Sequence, residues 1–249
     1  KMENIASDCL TEAGSGSDAA AMKTKAAYFK DNTSYKINGS KSFISGAGES
    51  DLYFVMMKTE NNMNEEISCV LLEKEFKGIS FGKNEDKMGW KNQPTRTISF
   101  DNCIAPKSNL VGKEGEGFKI AMQGLDGGRI NIASCSLGAA RFCIEKTINY
   151  VNERKQFGKY LKDFQSVQFK LADMITDFEA AKLMVHKAAE ALDKNEKHST
   201  ISSAMAKRYA TDVCFRICNE ALQIHGGYGY LADFGIEKMV RDCRVHQIL

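Results

Sequence analysis

The hydrophobic period of the chain changes near Pro106, and this change divides the sequence into two parts with different secondary structure. Before Pro106, short apolar runs at 52–58, 67–72, 79–81 and 97–102 are separated by turn residues, as in β-strands. The Asn38-Gly39 pair lies between two β-prone runs and predicts a hairpin over 35–43. No long helical pattern separates these strands, so parallel βαβ units are excluded. The sequence predicts an antiparallel β-sandwich or barrel.

After Pro106 the period is helical. Apolar residues recur every three or four positions from Val167 to Leu192, and again from Ile201 to Ile224, before Gly226-Gly227. A third helix is predicted at about 117–151 and a fourth from about 234 to the end. Long amphipathic helices with short connections form bundles. The predicted fold class is therefore α+β, with a β-domain over 1–105 followed by a four-helix bundle over 106–249.

Composition excludes several classes of function. The 249 residues are 43% hydrophobic and 27% charged, as in a globular protein, and the net charge of +2 gives no basic field for nucleic acid. No apolar run reaches the roughly 18 residues that a membrane span requires. No targeting presequence is recognisable, and because the chain opens on Lys1 we interpret it as a piece of a longer protein.

The eight cysteines include no CxxC pair. Cys214 and Cys218 lie one helical turn apart, with His225 downstream, which leaves a metal site as one interpretation. The spacing is not that of a zinc site, so two small core residues on one helix face are the favoured interpretation, with no metal. The scattered cysteines indicate a reducing compartment.

Three glycine-rich segments are candidates for ligand binding. The segment 112–117 lacks both GxGxxG and Walker A spacing, so the common dinucleotide motifs are absent there. The segment 11–18 interleaves hydroxyls with glycines, which suits close approach of the backbone to a ligand, although a surface loop is an equal alternative. The segment 223–230 ends a helix with glycines and by itself is a helix C-cap.

Taken in order, the segments 9–18 (CLTEAGSGSD), 154–158 (RKQFG) and 223–227 (QIHGG) resemble three signatures of the acyl-CoA dehydrogenase family. The resemblance runs from about Cys9 to Leu249. It implies that family's β-domain and helical bundle, with the family's N-terminal helical domain absent from these residues. One departure is Ala13, where the family usually has a proline that stiffens the loop.

The resemblance implies FAD as the cofactor and assigns roles to individual residues. The residues expected to border the flavin ring are Cys9, Leu10, Thr11, Gly16, Ser17, Phe43, Ile44 and Ser45. The residues expected to reach the FAD of a neighbouring subunit are Arg154, Phe164, Gln165, Gln223, Ile224, His225, Gly226 and Gly227. The residues expected to contact the acyl-CoA substrate are Ser17, Asp126, Gly127, Gly128 and Arg129.

The family's chemistry is α,β-desaturation of a thioester, in which a glutamate removes the α-proton while the β-hydride passes to the flavin. In most members that glutamate would occupy the position immediately after Leu249. In a minority it precedes the arginine matching Arg129, where this chain has Gly128. No catalytic base is therefore expected among these residues, and the chain as it stands is expected to be an inactive part of an oxidoreductase.

Three further segments, at 43–51, 89–96 and 127–140, are most similar to family members acting on a short branched acyl-CoA. That similarity implies valine catabolism in the mitochondrial matrix, with electrons passed to electron-transfer flavoprotein by a homotetramer. Two alternatives stay open. One is another short-chain acyl-CoA dehydrogenase, and the other is a non-catalytic fragment that only assembles or binds ligand.

Overall fold

The computed structural model describes residues 4–30, 33–61 and 64–249. The chain forms two compact units, one of residues 1–87 and 91–123 and the other of residues 88–90 and 124–249. The predicted change from strand to helix falls where the last long strand ends, at Pro106. The first compact unit continues beyond that point, because it includes residues at the start of the first long helix.

The first unit is built on a sheet of short and long strands. Its elements in the described residues are β1 (Ala6–Cys9), β2 (Lys25–Phe29), β3 (Ser34–Ser45), β4 (Leu52–Asn61), β5 (Asn64–Glu73), β6 (Ile79–Phe81), β7 (Thr95–Pro106) and β8 (Leu110–Val111). The order across the sheet is β6-β7-β3-β2-β4-β5-β8, and β1 also pairs with β4. The predicted strands at 52–58, 67–72, 79–81 and 97–102 all lie within these elements.

Most strand pairs are antiparallel, as predicted, but β4 has two parallel partners. β1 pairs with Leu52–Val55, and β2 pairs with Lys58 and Thr59 a few residues further along the same strand. Both segments therefore run in the same direction along β4, and the chain between Cys9 and Lys25 leaves the sheet and returns to it. This excursion carries the first family signature.

The hairpin predicted at Asn38-Gly39 is wrong. Residues 34–45 form one strand, β3, which pairs with β2 along one edge and with β7 along the other. The register with β7 shifts between Ile37 and Gly39, where Gly39 has φ 144°. A Cβ at Gly39 would lie 2.6 Å from Thr24 Oγ1, so glycine allows close packing within a continuous strand rather than a reversal.

Alternate residues of β4 point to opposite sides of the sheet and both sides are apolar. Val55 and Met57 belong to a core that also contains Tyr35, Ile37 and Ile98. Met56 packs on the other side with Met22, Cys69 and Ala121, the last of which lies in the first turns of a helix. The period of two along a strand therefore places apolar surface on both faces.

The second unit is a helical bundle. Its helices are α1 (Gly117–Glu153, whose first residues belong to the first unit), α2 (Gln165–Asp193), α3 (Ser199–His225) and α4 (Ile236–Ile248). The short strands β9 (Lys155–Gln156) and β10 (Lys159–Tyr160) form a hairpin between α1 and α2. All four predicted helices are present, and α3 ends at Gly226 as predicted.

The bundle core is rich in small residues. Alanines and cysteines from all four helices are fully or almost fully buried, including Ala140, Ala181, Ala210, Cys214 and Cys218. Small side chains allow helix axes to approach closely. Cys214 and Cys218 are thus core residues, as favoured from the sequence. No helix in the described ranges has an apolar stretch long enough to cross a membrane.

Candidate functional site

The first signature forms a closed turn directly after β1. Glu12 and Ser15 exchange two backbone hydrogen bonds of 3.1 Å, and the Ser15 hydroxyl donates to the Asp18 carbonyl at 2.7 Å. The turn is tied to the sheet because the Ser42 amide donates to the Thr11 carbonyl at 2.9 Å. Ala13 occupies the position usually held by proline, and the turn remains closed with alanine there. The residues that follow, Gly16 and Ser17, are exposed.

A buried ion pair lies beneath this turn. Lys41 of β3 has a fully buried side chain, and its Nζ lies 2.9 Å from Glu12 Oε1. The same ammonium donates to the Leu10 carbonyl at 2.9 Å and faces Met22 Sδ at 3.8 Å. The Glu12 carboxylate also accepts hydrogen bonds from the amides of Lys23 and Thr24, at 2.7 and 3.0 Å.

The electrostatics of the pair follow from its burial. Burial alone raises the pKa of Glu12, but hydrogen bonds from Thr24, Lys23 and Lys41 outweigh it and hold that pKa at about 2. Burial lowers the pKa of Lys41, and the neighbouring Glu12 carboxylate opposes this change. The fixed geometry of both groups favours the charged pair, in which the remaining polar atoms are also hydrogen bonded.

β3 has a bulge where the flavin-bordering residues are expected. Between Lys41 and Ile44 the register with β7 shifts by one residue, and Phe43 adopts φ 60°. The shift changes which residues face the core: Ile44 is buried, whereas Phe43 is 67% exposed. Ser45 is exposed, and its carbonyl accepts a hydrogen bond from Ser7 Oγ at 2.6 Å. β-Bulges are over-represented beside active sites, where they redirect a side chain, and this one turns the Phe43 ring outward.

In the second unit, the later two signatures come together around one depression. Arg154, Ile224, His225, Gly226 and Gly227 line an open cavity of about 520 Å³ together with Tyr150, Gln156, Leu161, Tyr228 and Leu231. The Arg154 guanidinium lies 5.4 Å from the centre of the Tyr228 ring, a cation–π distance. Within the described part of the chain, Arg154 has no carboxylate partner. Gln223 is exposed nearby on the last turn of α3.

His225 supports this depression from below. Its ring stacks on Tyr150 with centroids 4.3 Å apart, and its Nδ1 lies 2.8 Å from the Ala221 carbonyl. Burial lowers the pKa of His225, and the hydrogen bond to Ala221 opposes this effect. Tyr150 in turn donates to the His225 carbonyl at 3.3 Å. The imidazole is therefore an interior group, whereas the following glycines are open to a ligand.

The β9–β10 hairpin places an aromatic pair beside α2. Phe157 lies at its tip with φ 52° and is 93% exposed. The centroid of its ring lies 6.3 Å from that of Phe164. Gln165 is exposed at the start of α2. Phe164 and Gln165 are thus neighbours of a protruding apolar residue. Phe157 lies within the second signature but was not among the predicted site residues.

The residues expected to contact acyl-CoA lie on α1. Asp126 is 8% exposed, and both of its carboxylate oxygens are used: Arg129 donates to one at 2.7 Å and the Thr200 hydroxyl to the other at 2.6 Å. Asp126 therefore anchors Arg129 to α3. The Arg129 side chain retains 33% exposure and can still present its outer nitrogens.

Gly127 and Gly128 lie inside α1, and the helix continues through both. Each glycine in a helix interior costs about 1 kcal/mol relative to alanine. A Cβ at either position would meet no atom within 4 Å in the described structure, so packing does not require these glycines. Their open surface, next to Arg129, suits the backbone approach of a ligand.

Sequence reasoning did not identify three residues that the structure places at these sites: Lys41, Tyr150 and Tyr228. A signal for Lys41 exists, because Tyr35, Ile37 and Lys41 share one phase of the strand period and therefore one face. Tyr150 lies one helical turn before Arg154, and Tyr228 follows the third signature directly.

Comparison with known families agrees with the order of the signatures. The family model for the acyl-CoA dehydrogenase middle domain matches residues 7–103, and that for the acyl-CoA dehydrogenase C-terminal domain matches residues 115–249. Together these matches cover most of the chain.

A curated relative is similar along the whole chain. The mitochondrial isobutyryl-CoA dehydrogenase of Bos taurus is 53% identical over 248 residues, which are 100% of this chain and 59% of that protein. The chain therefore spans less than two thirds of its relative's length.

Solved structures share the fold. Butyryl-CoA dehydrogenase from Megasphaera elsdenii superposes with a TM-score of 0.95 and 41% identity, covering 98% of this chain and 64% of that one. An acyl-CoA dehydrogenase from Bacillus anthracis, solved in complex with FAD, gives a TM-score of 0.91 and 32% identity, covering 98% of this chain and 44% of that one.

Proposed function

The chain belongs to the acyl-CoA dehydrogenase family, a family of flavin-dependent oxidoreductases, and we propose that the full-length protein converts isobutyryl-CoA to methacrylyl-CoA. The observation that carries the choice of substrate is the 53% identity to an isobutyryl-CoA dehydrogenase along the whole chain. Identity to the butyryl-CoA enzyme is lower, at 41%. A straight short-chain acyl-CoA is therefore the second candidate.

The cofactor is FAD, and the residues present fit it. The Arg154 guanidinium has no carboxylate partner among the described residues; its planar fork matches phosphate oxygens, and it lies beside the open Gly226–Gly227 backbone. In the first unit, Thr11 and the exposed Phe43 ring offer a hydrogen-bonding group and an apolar edge. We assign Arg154, Phe164, Gln165 and the 223–227 segment to the FAD of a neighbouring subunit.

When bound, FAD supplies the acceptor for the β-hydride. The chain's own residues bind the acyl-CoA and orient its thioester. Arg129 donates to Asp126, which is itself held by the Thr200 hydroxyl, and so presents a fixed positive charge toward the acyl-CoA. Ser17 and the open surface of Gly127 and Gly128 complete the proposed substrate contacts. Since the α-proton of a thioester is weakly acidic, these contacts serve to hold the thioester while charge develops on its carbonyl oxygen.

The proposal extends to the cellular setting. We place the reaction in valine catabolism in the mitochondrial matrix, with electron-transfer flavoprotein as the electron acceptor and a homotetramer as the working assembly. The mitochondrial relative from Bos taurus supports this setting. The exposed signature residues around Arg154 and Phe157 support assembly, because on one subunit they form a surface that a second copy can use.

The test is anaerobic titration of the full-length holoprotein with isobutyryl-CoA, butyryl-CoA and isovaleryl-CoA, followed by bleaching of the flavin absorption band. We expect isobutyryl-CoA to give the highest rate of bleaching per flavin. Faster bleaching by butyryl-CoA would establish the second candidate instead. A purified full-length protein that contains no flavin, and binds none when FAD is added, would contradict the assignment altogether.

A further inference from the structure

The ammonium group of the buried Lys41 contacts only groups in or next to the loop that carries the first signature, among the described residues. Its three ammonium protons face the Leu10 carbonyl, the Glu12 carboxylate and Met22 Sδ, and its side chain has no exposed surface. Burying a lysine is costly unless it is paired and hydrogen bonded. A core of this size could be completed by an apolar residue, so the charge requires an explanation beyond packing.

The contact with Leu10 fixes the plane of one peptide group. The bond between Leu10 and Thr11 is trans, so its N–H points opposite to its C=O. Because the Leu10 carbonyl points inward to Lys41, the Thr11 amide points outward. The next carbonyl, that of Thr11, is fixed in turn by the Ser42 amide at 2.9 Å.

Thr11 consequently presents two unused groups. Neither its amide nor its hydroxyl has a hydrogen-bond partner within the residues that the structure describes, and the residue is only half-buried. Unpaired polar groups in a rigid loop are rare in folded proteins unless water or a ligand completes them. The adjoining bulge turns the Phe43 ring outward two residues after Lys41.

We propose that Lys41 is a positioning residue, which orients the Leu10–Thr11 peptide so that the Thr11 amide can donate to a heteroatom of the isoalloxazine ring. This inference rests on the proposed FAD-binding function. Lys41 itself does not touch the cofactor. Glu12 neutralises the buried ammonium, and its hydrogen bonds to Lys23 and Thr24 fix the other end of the loop.

The experiment separates positioning from simple stabilisation in the full-length protein. The variants are Lys41→Met, the double variant Glu12→Gln with Lys41→Met, and Lys36→Met, a control on the same strand that changes a half-buried lysine away from the loop. For each variant, the urea midpoint of the apoprotein, the dissociation constant for FAD and the visible circular dichroism of the bound flavin are measured.

Lys41→Met leaves the Glu12 carboxylate buried without its cation, so we expect a lower urea midpoint. The double variant removes both charges and is expected to recover that midpoint. It cannot hold the Leu10 carbonyl, however, so its dissociation constant for FAD should stay at least about tenfold above wild type. Its flavin circular dichroism should also stay altered, whereas Lys36→Met should resemble wild type in all three measurements.

Recovery of FAD affinity together with stability in the double variant would show that the pair is only structural and would overturn the proposal. Equal FAD affinity of Lys41→Met and Lys36→Met would do the same. If the Lys41 variants do not fold, hydrogen exchange in the wild-type protein decides. The Thr11 amide should exchange rapidly without FAD and at least about tenfold more slowly with it, and unchanged exchange would refute the role. Absence of FAD binding by the wild type would instead refute the proposed function.

Discussion

Replacing Arg154 with alanine in the full-length protein is expected to weaken FAD binding by roughly ten- to a hundredfold. The structure gives the reason. Arg154 has no carboxylate partner in the described chain, lies beside the open Gly226–Gly227 backbone and rests on Tyr228 at 5.4 Å. A hydrogen bond between a charged donor and phosphate contributes about 1.5–3 kcal/mol. Since about 1.4 kcal/mol corresponds to a tenfold change in affinity, its loss weakens binding by roughly ten- to a hundredfold.

The effect on folding should be small by comparison. The contact with Tyr228 is a partly exposed cation–π interaction, which contributes about 0.5–1 kcal/mol. For a protein of at least this length, that loss lowers the melting temperature by about 2–4 °C at most. The variant should therefore remain folded, and the loss of FAD can be read separately from the loss of stability.

Two variants sharpen the assay, which is isothermal titration of the apoprotein with FAD. Arg154→Lys keeps the charge but loses the planar fork, so its affinity should fall between those of wild type and Arg154→Ala. Arg141→Ala removes an exposed arginine of α1, the helix that ends just before Arg154; Arg141 is paired with Glu145 at 2.8 Å, and its loss should leave the affinity unchanged. Equal affinity of Arg154→Ala and Arg141→Ala would show that Arg154 is an ordinary surface charge.

Two further predictions concern the first signature. Because the pKa of Glu12 in the folded protein is held at about 2, below its ordinary 4.5, the stability it contributes is present above about pH 4.5 and is lost as the pH falls toward 2. In urea unfolding, Glu12→Gln should cost about 3 kcal/mol near pH 6, and the difference from wild type should shrink with acid; a constant difference would contradict the linkage. Ala13→Pro should raise stability by about 0.4–1 kcal/mol, since Ala13 has negative φ and donates no backbone hydrogen bond in the described residues; a lower melting temperature in differential scanning calorimetry would refute this.

The helical half of the fold was predictable because its signal is long. Each apolar stripe spans six or more turns, so the period of 3.6 is unambiguous, and the helices begin and end within a few residues of their predicted bounds. The strands carry a weaker signal. β1 is only four residues long and β2 contains two alanines, so neither differs clearly from a loop in the sequence.

The Asn38-Gly39 pair shows how tertiary structure overrides a local turn signal. In a hairpin at this pair, the two halves of β3 would form backbone hydrogen bonds only with each other. A continuous β3 instead pairs along both edges, with β2 and with β7, and so satisfies more backbone groups. The register with β7 shifts at this point, but the extra residue lies in β7, where Asn102 has φ 50°, and β3 continues through the Asn-Gly pair.

The candidate site was predicted through family signatures more than through physical patterns. From the residues alone, a surface loop was an equal alternative at 11–18, and the segment 223–230 was by itself a helix C-cap. The geometry supplies what those patterns lacked: a closed turn fixed by Lys41 and Glu12, and a depression formed where Arg154 meets the end of α3. Neither arrangement can be read from a single segment, because each joins residues distant in sequence.

Two phenylalanines at these sites adopt conformations that stability alone does not explain. Phe43 and Phe157 have φ of 60° and 52°, a region in which a bulky residue loses roughly 1–2 kcal/mol, and both rings are largely exposed. Asparagine or glycine would satisfy either backbone at lower cost and would remove apolar surface from water. Each ring adjoins residues assigned to FAD, one beside Ile44 and the other beside Phe164. The free energy that folding loses at these two positions is therefore best explained as a contribution to binding, recovered when the exposed rings are covered by cofactor or by a neighbouring subunit.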